Sequence, residues 1–343
     1  MRGVAAIAVM LFHFTQHTPW SIFGNADLAV DLFFCLSGFV IAFSYQGRLR
    51  RDMALRTFLR KRLVRLYPMY FLGLLLGAFA LLLRIALDES DTGVLRTLGA
   101  IALNLAYLPF LGDFAIRLGD TRISGVLFPV NSPAWSLFFE MAVNLSFGIW
   151  ALRRKDANPT PWLVFGALAL IAYVGFTHQP APGWDLHNFL GGFPRTIFGF
   201  FAGVFAYATL EAMRRFLPVV HPVYLLCLLV AVFLPAPHFQ HWSAAPWLGC
   251  ALVLVPSIVA VGAVSGTENP ILQKTFDYLG WISYPLYCLH FPVMALFTMT
   301  GMGRNYGPAG VALLAAITWA AAHLLSRFVE EPVRARLARL PRP

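Results

Sequence analysis

The sequence predicts an all-α, polytopic integral membrane protein with about ten transmembrane helices and one re-entrant or interfacial segment. Of its 343 residues, 59% are hydrophobic and only 12% are charged, and the mean hydropathy is +0.68. Soluble domains carry about 25% charged residues, so this composition excludes a soluble globular protein. Apolar stretches near the roughly 20 residues that cross a bilayer recur from one end of the chain to the other.

Ten apolar segments are long enough to be transmembrane helices, and we treat residues 1–343 as one domain. The predicted helices are residues 3–18, 27–45, 67–87, 133–152, 162–178, 194–210, 219–235, 244–264, 279–299 and 308–328. A further segment, residues 94–111, is apolar but contains Arg96, Asn104 and Pro109. The distribution of basic residues decides whether this segment crosses.

Lysine and arginine residues fall mainly on one side of the predicted helices. If residues 94–111 do not cross, 20 of the 26 basic residues share one side with both termini, and the acidic run Asp88, Glu89 and Asp91 lies on the other. Basic loops stay in the cytoplasm, so we predict that the segment does not cross and that both termini are cytoplasmic. The net charge of +10 is therefore an orientation signal, and we expect no nucleic-acid partner.

The cysteines and the beginning of the chain give two further expectations. The four cysteines fall in predicted helices without metal-ligand spacing, so we expect small apolar packing residues and no metal centre. The chain starts abruptly at the edge of its first helix and shows no cleavable signal peptide. A true start further upstream is compatible with that beginning.

His13 is an ionisable residue inside the first apolar segment, VAAIAVMLFHF. Arg2 precedes it by eleven residues, which returns an α-helix to within roughly 20° of the same face and separates the pair by about 16 Å along the axis. Polar groups at membrane depth are costly and usually face a bundle interior or a wet cavity. His13 is therefore either a functional residue or a histidine that hydrogen-bonds a neighbouring helix.

Two acidic residues of the second segment, Asp27 and Asp31, share a helix face at i, i+4 spacing. The deeper Asp31 needs a cation or a donor, and His13 on the adjacent helix is its predicted partner. Such a carboxylate would orient the imidazole, as in general acid–base sites. Asp27 is expected to be a helix cap, and Ser37 with Gly38 either meets a ligand or allows close helix packing.

The loop at residues 46–66 contains eight basic residues and one acidic residue. Its Arg62 and Arg65 lie at i, i+3 spacing, so their guanidinium groups can converge. Paired planar guanidiniums suit phosphate oxygens. The same charges are also typical of a cytoplasmic loop that only attracts anionic lipid.

A polar stripe runs along the fourth predicted helix at four-residue spacing, through Ser132, Ser136, Glu140 and Asn144. Glu140 lies about two turns into the bilayer, where it needs a partner or a proton. A helix that only packs would use small residues, so we predict that Glu140 is functional. Trp135 is either an interfacial anchor or part of the substrate site.

Three later residues complete the candidate site. Tyr287 and His290 lie one helical turn apart between two prolines, which free backbone carbonyls that must find partners. His290 is either a second site histidine or a satisfied contact between helices. Arg195 is a candidate partner for Glu140 or for an anionic acceptor.

The order of these motifs resembles the acyltransferase-3 family of integral membrane acyltransferases. The resemblance rests on RGVAAIAVMLFHF, DLFFCLSGFVI, Arg62-Leu63-Val64-Arg65 followed by Tyr67-Pro68, PAWSLFFE, SYPLYCLHFPV and Glu330 near Pro332. It runs from residue 2 to about residue 335, and the ordered set is specific although each motif alone is weak. The leucine, aspartate and glycine that usually precede the first arginine are missing.

The resemblance implies a bacterial cytoplasmic membrane enzyme that moves acyl groups, commonly acetyl from acetyl-CoA, onto hydroxyls of sugars or glycoconjugates. By motif position, it implies that His13 is the catalytic base paired with Arg2, that Arg62 and Arg65 engage the acyl donor, and that Glu140 is a site acid.

The resemblance also bears on Glu330, on the domain content and on the expected partners. Glu330 matches the acid that closes the family pattern, and we predict that it joins a structural ion-pair network with His323 and Arg327. The extracytoplasmic domain that some members carry is missing, which favours transfer in a single step. The expected partners are acyl-CoA as donor substrate, a carbohydrate acceptor and membrane lipid, with no permanently bound cofactor. The oligomeric state stays open.

A transporter or flippase for a lipid-linked saccharide is the competing function. In that case, Asp31, Glu140 and His13 would form a proton path, and the arginines would hold a lipid phosphate. Binding of acetyl-CoA distinguishes the two functions.

Overall fold

The computed structural model describes residues 1–16, 18, 21–118, 121–153, 158–234, 243–300 and 307–339. Over these ranges the chain is almost entirely helical, which confirms the predicted all-α membrane fold. Three basic residues used to predict the orientation, Arg154, Lys155 and Arg342, lie outside the described residues, as do positions 17 and 235 of two predicted spans.

Eight of the described helical segments are long and apolar enough to cross a membrane. They are Leu28–Arg51, Leu55–Ala86, Ser132–Arg153, Thr160–Thr177, Phe189–Met213, Ala244–Val264, Pro270–Phe297 and Pro308–Arg339. Each corresponds to one of the ten predicted spans.

The other two predicted spans, residues 3–18 and 219–235, form shorter helices. Helix α1, Arg2–Thr15, has 14 residues, and the later helix Pro222–Phe233 has 12. At 1.5 Å per residue they are about 21 and 18 Å long, which is less than the roughly 30 Å hydrocarbon core. Helix α1 ends where the Thr15 hydroxyl donates to the Leu11 carbonyl and accepts from the Ile22 amide. The described residues therefore hold eight of the ten predicted spans as full-length helices and the other two as shorter apolar helices.

The helices are numbered in chain order. After α1 come α2 (Leu28–Ile41), α3 (Gly47–Arg51), α4 (Leu55–Ala86), α5 (Val94–Leu105), α6 (Trp135–Arg153), α7 (Thr160–Thr177), α8 (Gly192–Met213), α9 (Pro222–Phe233), α10 (Ala244–Gly249), α11 (Val255–Val264), α12 (Pro270–Phe297), α13 (Pro308–Leu325) and α14 (Glu331–Arg339). Three π-helical turns, Ala42–Gln46, Cys250–Leu254 and Ser326–Glu330, join α2 to α3, α10 to α11 and α13 to α14.

Helix α5 is the ambiguous segment of the sequence, and its 12 residues are fewer than the roughly 20 that cross a bilayer. One face, with Leu95 and Leu98, is exposed. The other face packs on α4, where the Tyr70 hydroxyl donates to the Asn104 carbonyl.

A short antiparallel hairpin follows α5 and was not predicted. Strands β1 (Ile116–Leu118) and β2 (Thr121–Ile123) pair with Ile116 opposite Ile123. Arg117 donates to both carboxylate oxygens of Asp91, at 2.9 and 2.7 Å. These hydrogen bonds lower the pKa of Asp91 below its ordinary value.

Close approach of α2 and α8 is the packing contact that builds the interior. A Cβ atom on Gly38 would collide with the Phe200 carbonyl, and one on Gly203 would collide with the Cys35 carbonyl. Glycine at both positions therefore lets the two backbones touch, as small residues do in membrane bundles.

The arginine-rich segments meet at one end of the bundle. Arg60 at the start of α4 donates to the Leu337 carbonyl of α14, and Gly148 near the end of α6 packs against Leu55 of α4. Arg2 at the start of α1 lies within electrostatic range of Arg62 of α4. We call this end, with α3 and α14, the basic end.

Candidate active site

Glu140 of α6 lies at the centre of a polar cluster inside the bundle. Its Oε1 accepts from Ser37 Oγ of α2 at 2.7 Å and from Arg62 Nη2 of α4 at 2.8 Å. The side chains of Arg62 and Glu140 are only 5% and 14% exposed, so this ion pair is largely removed from solvent. No described residue donates a hydrogen bond to Glu140 Oε2. The sequence predicted these three residues for the site but not the contacts among them.

Two more arginines surround this ion pair. Arg2 of α1 is electrostatically coupled to Glu140 and Arg62, and Arg65, which is exposed, is coupled to Arg2, Arg62 and Glu140. Among the described residues, the buried Nε atoms of Arg2 and Arg62 find no hydrogen-bond acceptor. Three guanidiniums therefore lie within electrostatic range of one carboxylate, which leaves an excess of positive charge available to an anionic ligand.

A small cavity adjoins the cluster. It has a volume of about 30 Å³, room for about two water molecules, and its wall includes Arg2, Ser136, Glu140, Tyr284 and Tyr287. We call it the central cavity. The Ser136 and Tyr287 hydroxyls are 2.7 Å apart, and Tyr287 also donates to the Pro133 carbonyl at 3.0 Å.

His13 and His290 contact each other one turn further along α12. His290 Nε2 lies 3.3 Å from His13 Nδ1, and His290 is completely buried. Its ring also lies against that of Tyr287, with the centroids 5.8 Å apart. His290 therefore makes a contact between helices, which is one of its two predicted roles, and its partner in that contact is His13.

Backbone carbonyls assign the tautomers of both histidines. His13 Nδ1 lies 2.9 Å from the Val9 carbonyl, and His290 Nδ1 lies 3.0 Å from the Leu286 carbonyl. A carbonyl only accepts, so each Nδ1 carries the proton in the neutral ring. Nε2 of His290 is then the acceptor for His13, and Nε2 of His13 is the nitrogen with the basic lone pair.

Asp31 pairs with Arg195 of α8 and not with His13, which corrects the predicted partner. Arg195 Nε donates to Asp31 Oδ1 at 2.9 Å and Nη2 donates to Oδ2 at 2.8 Å. Both side chains are at most 5% exposed. The close approach of α2 and α8 brings the two residues together, and the bidentate geometry commits both oxygens of the carboxylate.

Arg195 also makes two hydrogen bonds to backbone carbonyls. They reach the Pro182 and Asp27 carbonyls at 3.1 and 2.9 Å. The guanidinium carbon lies 5.4 Å from the Trp135 ring centroid and 5.2 Å from that of Trp247. Arg195 is thus not the partner of Glu140, and Trp135 is a buried packing residue rather than an anchor at the membrane surface.

Glu330 is buried and accepts from Ser326 Oγ at 2.8 Å and from Arg334 Nη1 at 3.2 Å. The other members of the predicted network find different partners. Arg327 pairs with Glu331 at 3.0 Å, and His323 Nδ1 lies 3.2 Å from the Tyr278 hydroxyl. The π-helical turn Ser326–Glu330 rotates the chain so that Arg327 is exposed while Glu330 points inward.

Two residues of this region were missed in the sequence. Tyr284 lines the central cavity and donates to the Leu66 carbonyl at 2.6 Å. It lies three residues before Tyr287, so helical spacing places it on the same face. Trp247 carries no comparable signal, because only the tertiary packing of α10 brings it to Arg195.

The family model described as an acyltransferase domain matches residues 1–326. The chain belongs to the acyltransferase-3 family. Family membership, predicted from the ordered motifs, is thereby confirmed, and the chain is a multi-pass membrane acyltransferase. Such an enzyme needs an acyl donor and an acceptor, which sets the transporter interpretation aside.

Two curated proteins are similar to this acyltransferase-3 chain, and one of them is named as an acyltransferase. Acyltransferase MdmB of Streptomyces mycarofaciens is 26% identical over 371 residues, covering 99% of this chain and 91% of the relative. Protein 2 in picA locus of Rhizobium radiobacter is 38% identical over 186 residues, covering 50% of this chain and 90% of the relative. No solved structure matches the chain.

Proposed function

We propose that this acyltransferase moves an acyl group, acetyl in the first instance, from acyl-CoA to a hydroxyl of a sugar or glycoconjugate, with His13 as general base. The proposal also places both termini in the cytoplasm and the chain in a bacterial cytoplasmic membrane. The observation that carries the proposed chemistry is the contact between His13 and the buried His290.

The histidine pair supports a base with a fixed orientation. His13 becomes a cation when it takes a proton on Nε2, and its Nδ1–H bond to the neutral His290 then becomes charge-assisted and stronger. General-base help of this kind is worth about 10²- to 10⁴-fold in rate. His290 is on this proposal a positioning residue that acts through His13.

In the proposed transfer, one proton moves from the acceptor hydroxyl to His13 and then to the leaving thiolate. His13 Nε2 takes the proton of the acceptor hydroxyl while that oxygen forms a bond to the acyl carbon. The carbon–sulfur bond then breaks, and the leaving thiolate takes the proton back from His13 to give free CoA. An acyl-His13 intermediate is the alternative, in which His13 attacks the thioester itself.

The donor site is proposed at the basic end. Coenzyme A carries several phosphate charges, and Arg2, Arg62 and Arg65 offer an excess of guanidinium over the single carboxylate of Glu140. Arg2 and His13 lie on one helix face about 16 Å apart, a separation that an extended pantetheine arm can bridge. The 30 Å³ of the central cavity is smaller than a thioester, so side chains around Tyr287 must shift when donor enters.

Binding of radiolabelled acetyl-CoA to the purified full chain tests the donor site. We expect saturable binding that is lost when Arg62→Ala and Arg65→Ala are combined. The matched control combines Arg56→Ala and Lys61→Ala, which removes two exposed charges from the same helix and should leave binding intact. No binding to the wild type, or equal loss in both double variants, contradicts the proposal.

The same label separates the two chemical routes. Without acceptor, general-base catalysis leaves the protein unlabelled, whereas the alternative route leaves a stable acyl group on His13. Mass spectrometry of the quenched protein distinguishes the two routes.

The acceptor class is tested by comparing surface polysaccharide and glycolipid from cells with and without the gene. We expect a mass shift of one acetyl group on a sugar.

A further inference from the structure

A second and much larger recess lies at the basic end, between α2–α3 and α8. Its volume is about 950 Å³, at the upper end of the roughly 300–1,000 Å³ of ligand pockets. None of its described lining residues lines the central cavity. We call it the basic groove, and the acyl transfer described above does not use it.

One wall of the basic groove is aromatic. Phe43, which is 70% exposed, and Phe39 each meet the ring of Tyr207 edge to face, with centroid distances of 6.0 and 5.8 Å. A large exposed phenylalanine beside membrane-spanning helices suits hydrocarbon better than water. This wall can therefore cover an acyl chain.

One residue that lines the groove has a side-chain oxygen without a hydrogen-bond partner among the described residues. Gln46 is 7% exposed and lines the groove, and its buried Oε1 accepts no hydrogen bond from the described residues. The π-helical turn Ala42–Gln46 ends at this residue, and such turns are frequent at functional sites. A buried acceptor without a donor is costly, so a ligand that brings an O–H or N–H group would be favoured here.

The charge around the groove is positive. Arg50 lines it, and a neighbouring cleft of about 470 Å³ is lined by Arg48 and Arg51 of the same short helix. Glu211 is the one acidic side chain among the described lining residues, and it lies 4.0 Å from Arg214. One guanidinium in the groove wall and two more in the neighbouring cleft make this region suited to a phosphate.

We propose that the basic groove binds an anionic phospholipid whose headgroup carries free hydroxyls, as in phosphatidylglycerol. Its phosphate meets Arg50 in the groove wall, a headgroup hydroxyl donates to Gln46 Oε1 after that side chain shifts toward the groove, and an acyl chain covers Phe43. Arginine-lined pockets between transmembrane helices on the cytoplasmic side are suited to anionic headgroups. The binding site is independent of the acyl-transfer site.

Native mass spectrometry of the purified full chain tests this proposal with three lipids of equal chain length. These are dioleoyl phosphatidylglycerol, dioleoyl phosphatidate, which lacks the headgroup hydroxyls, and zwitterionic dioleoyl phosphatidylcholine. We expect retention in that order. Arg50→Gln should weaken phosphatidylglycerol binding about fivefold, whereas Arg153→Gln, an equal charge loss at an exposed position outside the groove, should not change it.

Gln46→Leu provides the second arm, because it removes the acceptor and keeps the charge. It should lower phosphatidylglycerol binding to the level of phosphatidate and leave phosphatidate unchanged. Equal effects of Arg50→Gln and Arg153→Gln, or no effect of Gln46→Leu on the preference for phosphatidylglycerol, would overturn the proposal. Displacement of the bound lipid by coenzyme A at equimolar concentration would also overturn it, because the groove would then hold a nucleotide.

Discussion

Two acids inside the helix bundle, Asp31 and Glu140, look alike in the sequence and differ sharply in the structure. Asp31 gives both oxygens to Arg195, whose guanidinium also donates to two backbone carbonyls and lies over the rings of two tryptophans. Glu140 uses one oxygen for Ser37 and Arg62 and lies in the wall of the central cavity. A saturated ion pair supports the fold, whereas an acid with one uncommitted oxygen beside a cavity can respond to a ligand.

Asp31→Ala should give the largest loss of stability. It leaves the guanidinium of Arg195 buried without its carboxylate, which costs about 3–5 kcal/mol. Equilibrium unfolding in detergent measures this change in the free energy of unfolding. The double variant with Asp31→Leu and Arg195→Met should recover most of it, since apolar replacement of a whole buried pair is often neutral. A stable but inactive Asp31→Ala protein would instead make Asp31 a catalytic residue.

Glu140→Gln should affect activity more than stability, in contrast to Asp31→Ala. The amide keeps an acceptor for Ser37 and Arg62 but loses the charge that balances the arginines, so we expect a loss in the free energy of unfolding smaller than the about 3–5 kcal/mol of Asp31→Ala. We expect kcat/KM for acetyl-CoA to fall about tenfold or more, which corresponds to about 1.4 kcal/mol of transition-state stabilisation. Full activity in this variant would remove Glu140 from the site.

Ser37→Ala sharpens the same contrast with a smaller change. It removes one of the two hydrogen bonds to Glu140 Oε1, worth about 1 kcal/mol, and should lower kcat/KM about fivefold. Ser146→Ala is the control, because that exposed hydroxyl bonds only the Ala142 carbonyl of its own helix. Steady-state kinetics of both variants should differ. If they match, the Ser37 hydroxyl serves packing alone.

Asp91 lies at the surface and serves as a comparison for the two acids inside the bundle. Its substitution should change the stability least. Arg117 lowers its pKa, so its contribution to stability is present above the ordinary value of 3.8 and is lost as the pH falls through the lowered value. Asp91→Asn should remove that acid-dependent loss and change Tm only slightly at pH 7. Thermal unfolding from pH 7 to pH 3 measures it, and a large loss at pH 7 would contradict a surface role.

Most helices could be predicted from the sequence, because apolar length alone identifies a membrane-spanning segment. The site residues could also be singled out, since Glu140 and His13 are polar at membrane depth. Their partners could not. Asp31 and Arg195 lie 164 residues apart, and only the register of α2 against α8 pairs them. Pairing of this kind depends on tertiary packing, which no local spacing encodes.

Local details were missed for a related reason. The end of α1 at Thr15 depends on hydrogen bonds to Leu11 and Ile22, and the β hairpin has only three residues in each strand. The π-helical turns that redirect Gln46 and Glu330 carry no composition signal, because the segments around them read as ordinary helix.

The rate of CoA release from purified protein tests directly whether His13 is the base for transfer from acyl-CoA. Wild type and His13→Gln are supplied with acetyl-CoA and a crude extract of saccharide and glycolipid acceptors, and free thiol is followed with time. We expect both proteins to bind acetyl-CoA equally and His13→Gln to release CoA about 10²- to 10⁴-fold more slowly. Equal rates of acceptor-dependent CoA release would contradict it.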